Sequence, residues 1–145
     1  MEVLVVTGSS RGIGAEICRA AAVKGGAVCV NYATSTGEAD LVVKNIEQAG
    51  GRAISVAADV SIESDVAALF ERVDAELGPV TGLVNNAGIN GGGTRVDELD
   101  ADQARRIFEV NILGSFLCAK HAIRRMAKRY GGVGGSIVNI SSAAS

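Results

Sequence analysis

The chain has 145 residues, 48% hydrophobic and 21% charged, a balance that suits one globular domain with a buried core and excludes a disordered segment. Its formal net charge of −2 leaves no electrostatic footprint for nucleic acid or an anionic membrane, and 3% aromatic residues leave no platform for stacking single-stranded bases. No apolar run approaches a membrane span, and Cys18, Cys29 and Cys118 are odd in number, lack metal-ligand spacing and lie in apolar elements; this usage points to a reducing, cytoplasmic setting with no metal site.

Val3-Leu4-Val5-Val6 is a continuous apolar run ending at Thr7-Gly8, the pattern of a buried parallel strand. A strand this close to Met1 is read as leaving no signal peptide ahead of the fold. A helix is predicted from about Gly12, with Ile13, Ile17, Ala20 and Ala21 on its inner face and Gly25-Gly26 as the stop. Residues 27–30 read as a second strand running into Asn31 and Tyr32. Ser35 and Glu38 have capping-box spacing, opening a helix that turns Ala39, Val42, Val43 and Ile46 inward and stops at Gly50-Gly51.

Residues 52–57 form the third predicted strand, and Ser61 is placed to cap the helix that follows. Val66, Leu69, Phe70, Val73 and Leu77 carry clean helical spacing before Gly78-Pro79. A fourth strand, Gly82-Leu83-Val84, runs into Asn85-Asn86-Ala87-Gly88, and a glycine-rich loop, Gly91-Gly92-Gly93, follows. A long helix is then predicted over residues 101–129, with Ile112, Phe116, Ile123, Met126 and Tyr130 near one stripe. Its basic end, Arg124, Arg125, Lys128 and Arg129, reads as a solvated face that complements the helix dipole. The lone His121 reads as a surface residue without a role. Ser136-Ile137-Val138-Asn139-Ile140 is the fifth strand and runs into Ser141-Ser142.

Uninterrupted strand–helix alternation predicts an α/β fold, a parallel sheet with helices on both faces. Polar and glycine residues collect at the C-terminal ends of strands one, three, four and five, the edge where open α/β sheets bind ligands. The strongest local signal is the turn Thr7-Gly8-Ser9-Ser10-Arg11-Gly12-Ile13-Gly14. Gly8 permits a sharp exit from the strand, Gly12 has no side chain to block a pyrophosphate, and Gly14 lets the helix come close to the sheet. The helix N-terminus then offers free N–H groups to an anion, and Ser9 and Ser10 offer hydroxyls. No Lys-Ser/Thr pair follows the last glycine, so this is not a P-loop.

Thr7-Gly8-x-x-x-Gly12-Ile13-Gly14 resembles the cofactor turn of the classical short-chain dehydrogenases/reductases, and later landmarks follow in that family's order. Asp59-Val60 resembles the acidic position that meets the adenine ring. Asn85-Asn86-Ala87-Gly88 resembles the N-N-A-G motif after strand four. Asn111 stands at the family's active-site asparagine, and the fifth strand resembles the one that delivers the catalytic serine, with Ser142 at that position by motif alignment. The resemblance covers the whole chain and is nearest to sugar-dehydrogenase-like and acyl-carrier-protein-reductase-like members.

The resemblance implies one dinucleotide-binding domain over residues 1–145. Its fold would be a Rossmann-type, doubly wound parallel sheet with five strands present and the C-terminal part of the usual fold missing. The implied activity is NAD(P)(H)-dependent oxidoreduction of a small alcohol or carbonyl. Implied cofactor contacts are Gly8, Ser9, Ser10, Arg11, Gly12, Ile13, Gly14, Asn31, Asp59, Val60, Asn86, Ala87 and Gly88, and implied catalytic residues are Asn111 and Ser142. The segment Asn31-Tyr32-Ala33-Thr34-Ser35 has no acid to repel a 2′-phosphate, and Arg11 can approach one, so NADP is expected over NAD.

In the family a tyrosine is the general acid or base, and a lysine four residues later lowers its pKa and holds the nicotinamide ribose. Here Tyr32 is followed at that distance by Thr36 and Tyr130 by Gly134. The chain is therefore expected to be an inactive N-terminal fragment of a protein about twice as long. The full-length protein would be a homo-oligomer that buries the long helix against a partner, leaving Ile112, Phe116, Ile123 and Met126 short of cover here.

Each residue also has a plainer reading. Asp59 could only start a turn before Ser61, Asn85 and Asn86 could be ordinary strand-end residues, and Arg11 could face solvent. A noncatalytic dinucleotide-binding or sensing module is the alternative function. A phosphoacceptor domain would need acids after strand one, where Thr7-Gly8-Ser9 stand.

Overall fold

The computed structural model describes residues 2–142. Its strands are β1 (Val3–Val6), β2 (Ala27–Tyr32), β3 (Arg52–Ala57), β4 (Gly82–Asn85) and β5 (Ser136–Asn139). The α-helices are α1 (Gly12–Val23), α2 (Thr36–Gln48), α3 (Glu63–Glu76), α4 (Ala101–Phe108) and α5 (Gly114–Met126). All strand pairs are parallel, in the order β3-β2-β1-β4-β5. The chain runs outward from β1 to β3, then returns past β1 to β4. The order therefore reverses between β1 and β4, the switch point at which such sheets open a crevice.

Alternation along the strands divides the core in two. Val3 and Val5 of β1 and Ala27 and Cys29 of β2 pack with Leu69, Phe70 and Val73 of α3 and Cys118 and Ala122 of α5. Val6, Val28 and Val30 point the other way, onto Ala15, Cys18 and Ala22 of α1 and Ala39, Val42 and Ile46 of α2. A sheet buried on both faces explains why β1 and β2 read as continuous apolar runs. β2 extends through Asn31 and Tyr32, two residues further than the apolar run, because both pair with β3 and are buried.

Some local expectations are corrected. The most buried face of α1 is Gly14, Ala15, Cys18 and Ala22; Ile17 and Ala21 pack partly buried against the same core as expected, whereas Ala20 is exposed and Ile13 is 65% exposed. The turn sets this rotation: a Cβ on Gly14 would lie 2.6 Å from Asn86 Nδ2, so that position must face the sheet. Ser35 occupies the N-cap position of α2 but makes no side-chain capping bond. Ser61 does not cap α3, whose N-cap is Ile62, because its N–H and hydroxyl both donate to Asp59 Oδ1.

The single helix expected over residues 101–129 is three pieces. α4, capped by Asp100 Oδ1 on the N–H groups of Asp102 and Gln103, gives way to a π-helical turn, Glu109–Leu113, and then to α5. α5 stops where Ala127 turns extended, ahead of a 3-10 turn, Lys128–Tyr130. A wide turn inserts a residue into the helical register, which uniform periodicity hides. Behind it, Gly114 seats against Val60: a Cβ there would come within 2.7 Å of Val60 Cγ2.

Candidate functional site

The C-terminal ends of β1, β2, β3 and β4 surround a cleft of about 470 Å³. All the expected cofactor residues line it except Ser9 and Gly14. Gly8 leaves β1 at φ +59°, and a Cβ on it would lie 2.8 Å from Ala87 Cα, so the turn and the segment after β4 are in backbone contact. Gly12 also has φ +59° but faces open space. The first N–H groups of α1 have no partner within the helix, and Ser10, Arg11, Gly12 and Ile13 border the cleft beside them. A glycine that keeps the approach clear and a helix N-terminus together fit a pyrophosphate.

Three polar side chains build the frame of the cleft from inside. Asn31 is 1% exposed. Its Oδ1 accepts from Gly8 N at 3.1 Å, and its Nδ2 reaches the carbonyls of Val56 and Ala58 at 3.3 and 3.1 Å. The expected cofactor residue thus borders the cleft, but its amide ties the ends of β1, β2 and β3. Thr7 Oγ1 accepts from the N–H groups of Asn86 and Ala87, each at 3.0 Å. Asn86 Nδ2 donates to the carbonyls of Thr7 and Gly8 at 3.0 and 2.9 Å. This reciprocal lock holds β1 against β4 across the switch point.

Ser9 is placed differently from expectation. It is fully buried, its N–H donates to Asn31 O at 2.8 Å, and its hydroxyl donates to Val6 O at 2.7 Å. It closes the turn from within, leaving Ser10 as the hydroxyl on the cleft side.

Asp59 stands at the far wall. Its Oδ1 accepts from Ser61 N–H at 2.9 Å and from Ser61 Oγ at 2.6 Å, so it does start a turn. Its Oδ2 accepts from the Arg106 guanidinium at 2.5 Å, and Arg106 also donates to Ser61 Oγ at 2.6 Å. Burial opposes the charged carboxylate, but the Ser61 and Arg106 hydrogen bonds outweigh it and hold the Asp59 pKa below its ordinary value. Val60 beside it is buried under α5. Arg106 and Val110 are cleft residues that the sequence reading missed. Neither belongs to a motif, and only folding brings α4 to the end of β3.

Asn111 lies in the π-helical turn, where its side chain holds both backbone groups of one residue. Oδ1 accepts from Ile89 N–H and Nδ2 donates to Ile89 O, each at 2.8 Å. The mid-helix asparagine therefore sits where the helix is irregular, and it secures the segment leaving β4. Beyond β5, Ile140 N–H donates to Asn85 O at 2.9 Å, and Asn85 Nδ2 donates to Asn139 Oδ1 at 2.9 Å. Ser141 and Ser142 follow, both exposed. Neither Asn111 nor Ser142 lines the cleft.

Comparison with known proteins places this geometry among relatives. A family model described as short chain dehydrogenase matches residues 2–145. An uncharacterized oxidoreductase, YgfF, of Escherichia coli strain K12 is 43% identical over 100% of this chain and 59% of its own length. A cis-4-hydroxycyclohexanecarboxylate dehydrogenase of Sinomonas cyclohexanicum is 42% identical over 97% of this chain and 54% of its own. A solved double mutant of a Serratia marcescens short-chain dehydrogenase/reductase superposes with a TM-score of 0.89 at 32% identity, covering 98% of this chain and 56% of that one. The chain thus spans little more than half the length of the relatives it matches.

Proposed function

Because the chain belongs to the short-chain dehydrogenase family, we propose that it is the dinucleotide-binding part of an oxidoreductase that interconverts a small alcohol and its carbonyl compound, with NADP(H) preferred. The observation that carries this reading is the cleft at the switch point, bordered by the open Gly12 turn at one wall and Asp59 at another. Gly8, Ser10, Arg11, Gly12 and Ile13 would hold the pyrophosphate side, and Asp59 with Val60 the adenine. Asn86, Ala87 and Gly88 would border the nicotinamide half. The hydride chemistry belongs to the bound cofactor. Arg11 and the segment Ala33-Thr34-Ser35 line the same cleft, and that segment after β2 carries no acid, which favours a 2′-phosphate.

Asn111 and Ser142 are assigned to catalysis, the first holding the loop and a proton path, the second hydrogen-bonding the substrate oxygen. The 145 residues contain no tyrosine followed at the fourth position by lysine. General acid–base catalysis typically supplies about 10²–10⁴-fold, so this chain by itself should not turn over substrate usefully. Cytoplasmic location is supported by the three buried free thiols, and homo-oligomerisation by an exposed apolar helix face.

Calorimetric titration of NADP and NAD tests the cofactor assignment. NADP should bind more tightly, and Arg11→Ala should weaken NADP more than NAD; equal or tighter NAD binding overturns the preference. Assays with NADPH and small ketones and aldehydes should show no turnover by this chain. Activity should appear in a version extended through a Tyr-x-x-x-Lys segment, and there Ser142→Ala should cost more than Ser141→Ala. Binding without turnover in both versions would favour the noncatalytic module.

A further inference from the structure

The carboxylate proposed to meet the adenine is not free to rotate. Ser61 fills both acceptor directions of Asp59 Oδ1, one with its N–H and one with its hydroxyl. Arg106 fills one direction of Oδ2, leaving a single acceptor direction on that oxygen. Ser61 Oγ in turn accepts from the other arm of the Arg106 guanidinium, so the three side chains close a ring. Arg106 comes from α4, 47 residues along the chain, and borders the same cleft as Asp59. An ion pair this accessible, 45% exposed on the Arg106 side and 24% on the Asp59 side, contributes little to stability. A planar, permanently charged fork does, however, fix a carboxylate's orientation and keep it ionised.

We infer that Arg106 is a positioning residue for base recognition: it fixes the Asp59 carboxylate as a pure acceptor at the adenine end of the cleft, and so makes the protein select a dinucleotide whose purine carries an exocyclic amino group. This rests on the reading of Asp59 as the adenine contact. An ionised carboxylate has no proton to donate. An amino group offers it a donor, whereas the carbonyl of hypoxanthine at the same ring position would set acceptor against acceptor. The wrong base is disfavoured because it leaves the carboxylate facing an acceptor in place of a donor. Without Arg106, Oδ2 would lose the guanidinium hydrogen bond, and the carboxylate could swing about the Ser61 contacts.

The test compares NADP and NAD with their hypoxanthine counterparts, by calorimetry on the purified protein. The wild type should prefer adenine by about tenfold or more, the discrimination expected of one charged hydrogen bond. Arg106→Ala should weaken the adenine forms, leave the hypoxanthine forms nearly unchanged and bring the ratio toward parity. Arg106→Lys keeps the charge but cannot span both partners, so its ratio should be intermediate. Alanine is a good helix former at an exposed position, so α4 should persist; if that variant does not fold, Arg106→Gln carries the same comparison. Asp59→Asn separates the two ideas. If it abolishes the preference while Arg106→Ala retains it in full, the positioning role is overturned and the adenine contact stands. If the wild type shows no preference, or Asp59→Asn leaves it intact, the adenine contact fails and the inference fails with it.

Discussion

Asn31 shows how one amide can organise a ligand edge. Buried at the end of β2, it accepts from the glycine turn and donates to carbonyls of β3 and the residue after it. Asn31→Ala would leave the Gly8 N–H and the Ala58 carbonyl without these partners in a buried place. Each such loss costs about 1–3 kcal/mol, so the variant should lose at least about 2 kcal/mol in urea unfolding, with cofactor affinity falling too. A variant as stable as the wild type would show that water replaces the amide. Asp59 acts at the surface of the cleft instead. Since adenine is common to both cofactors, Asp59→Ala should weaken NADP and NAD by a similar factor, about 1.5–3 kcal/mol by calorimetry. A loss confined to one cofactor would contradict the adenine assignment.

Among the elements, the seam between α3 and α5 departs most from the surface reading of its residues. His121 stacks on Phe70 at 5.8 Å between ring centroids, and Arg125 lies 5.2 Å over the same ring while pairing with Asp74 at 2.6 Å. Lys120 pairs with Glu63 at the same seam. Burial, then the nearby Arg125 and Lys120, lower the His121 pKa below its ordinary 6.5; Arg124 acts in the same direction and Glu63 against it. The folded state therefore binds this proton less readily than the unfolded chain. The contribution is fully present above pH 6.5 and is lost as pH falls from there through the depressed value. Thermal melts should show a fall in Tm over that range that His121→Gln flattens. An unchanged pH dependence in the variant would place the titration elsewhere.

At the scale of the molecule, the sheet is covered unevenly. β1 and β2 are buried on both faces, but among the described residues β5 pairs with β4 alone, and Val138 and Ile140 are half-exposed. Phe108, Ile112, Phe116 and Ile123 expose an apolar stripe along α4, the π-helical turn and α5. Met126, expected on that stripe, is instead 5% exposed, because the Gly132-Val133-Gly134-Gly135 return folds over it. An open strand edge and a large apolar face both favour association. Sedimentation velocity should show oligomers that grow with concentration, and Phe116→Glu should shift them toward monomer. A monodisperse monomer at high concentration would contradict this.

The fold and the cofactor turn were legible in the sequence because each rests on local rules. Continuous apolar runs mark strands buried on two faces, glycines mark the turn at β1, and Val66, Leu69, Phe70, Val73 and Leu77 face the core as their spacing predicts. The amphipathic period could not show the π-helical turn at Glu109–Leu113, since one inserted residue barely disturbs a helical pattern. The fates of Ser9, His121 and Met126 were likewise set by partners far along the chain or by the return of a loop. Tertiary structure also decided the pairing of Asp59 with Arg106, because a contact between residues 47 positions apart exists only once α4 has folded over the end of β3. Local propensity fixes which elements form; the competition among distant donors and acceptors for a few carbonyls and carboxylates decides which side chains remain available to a ligand.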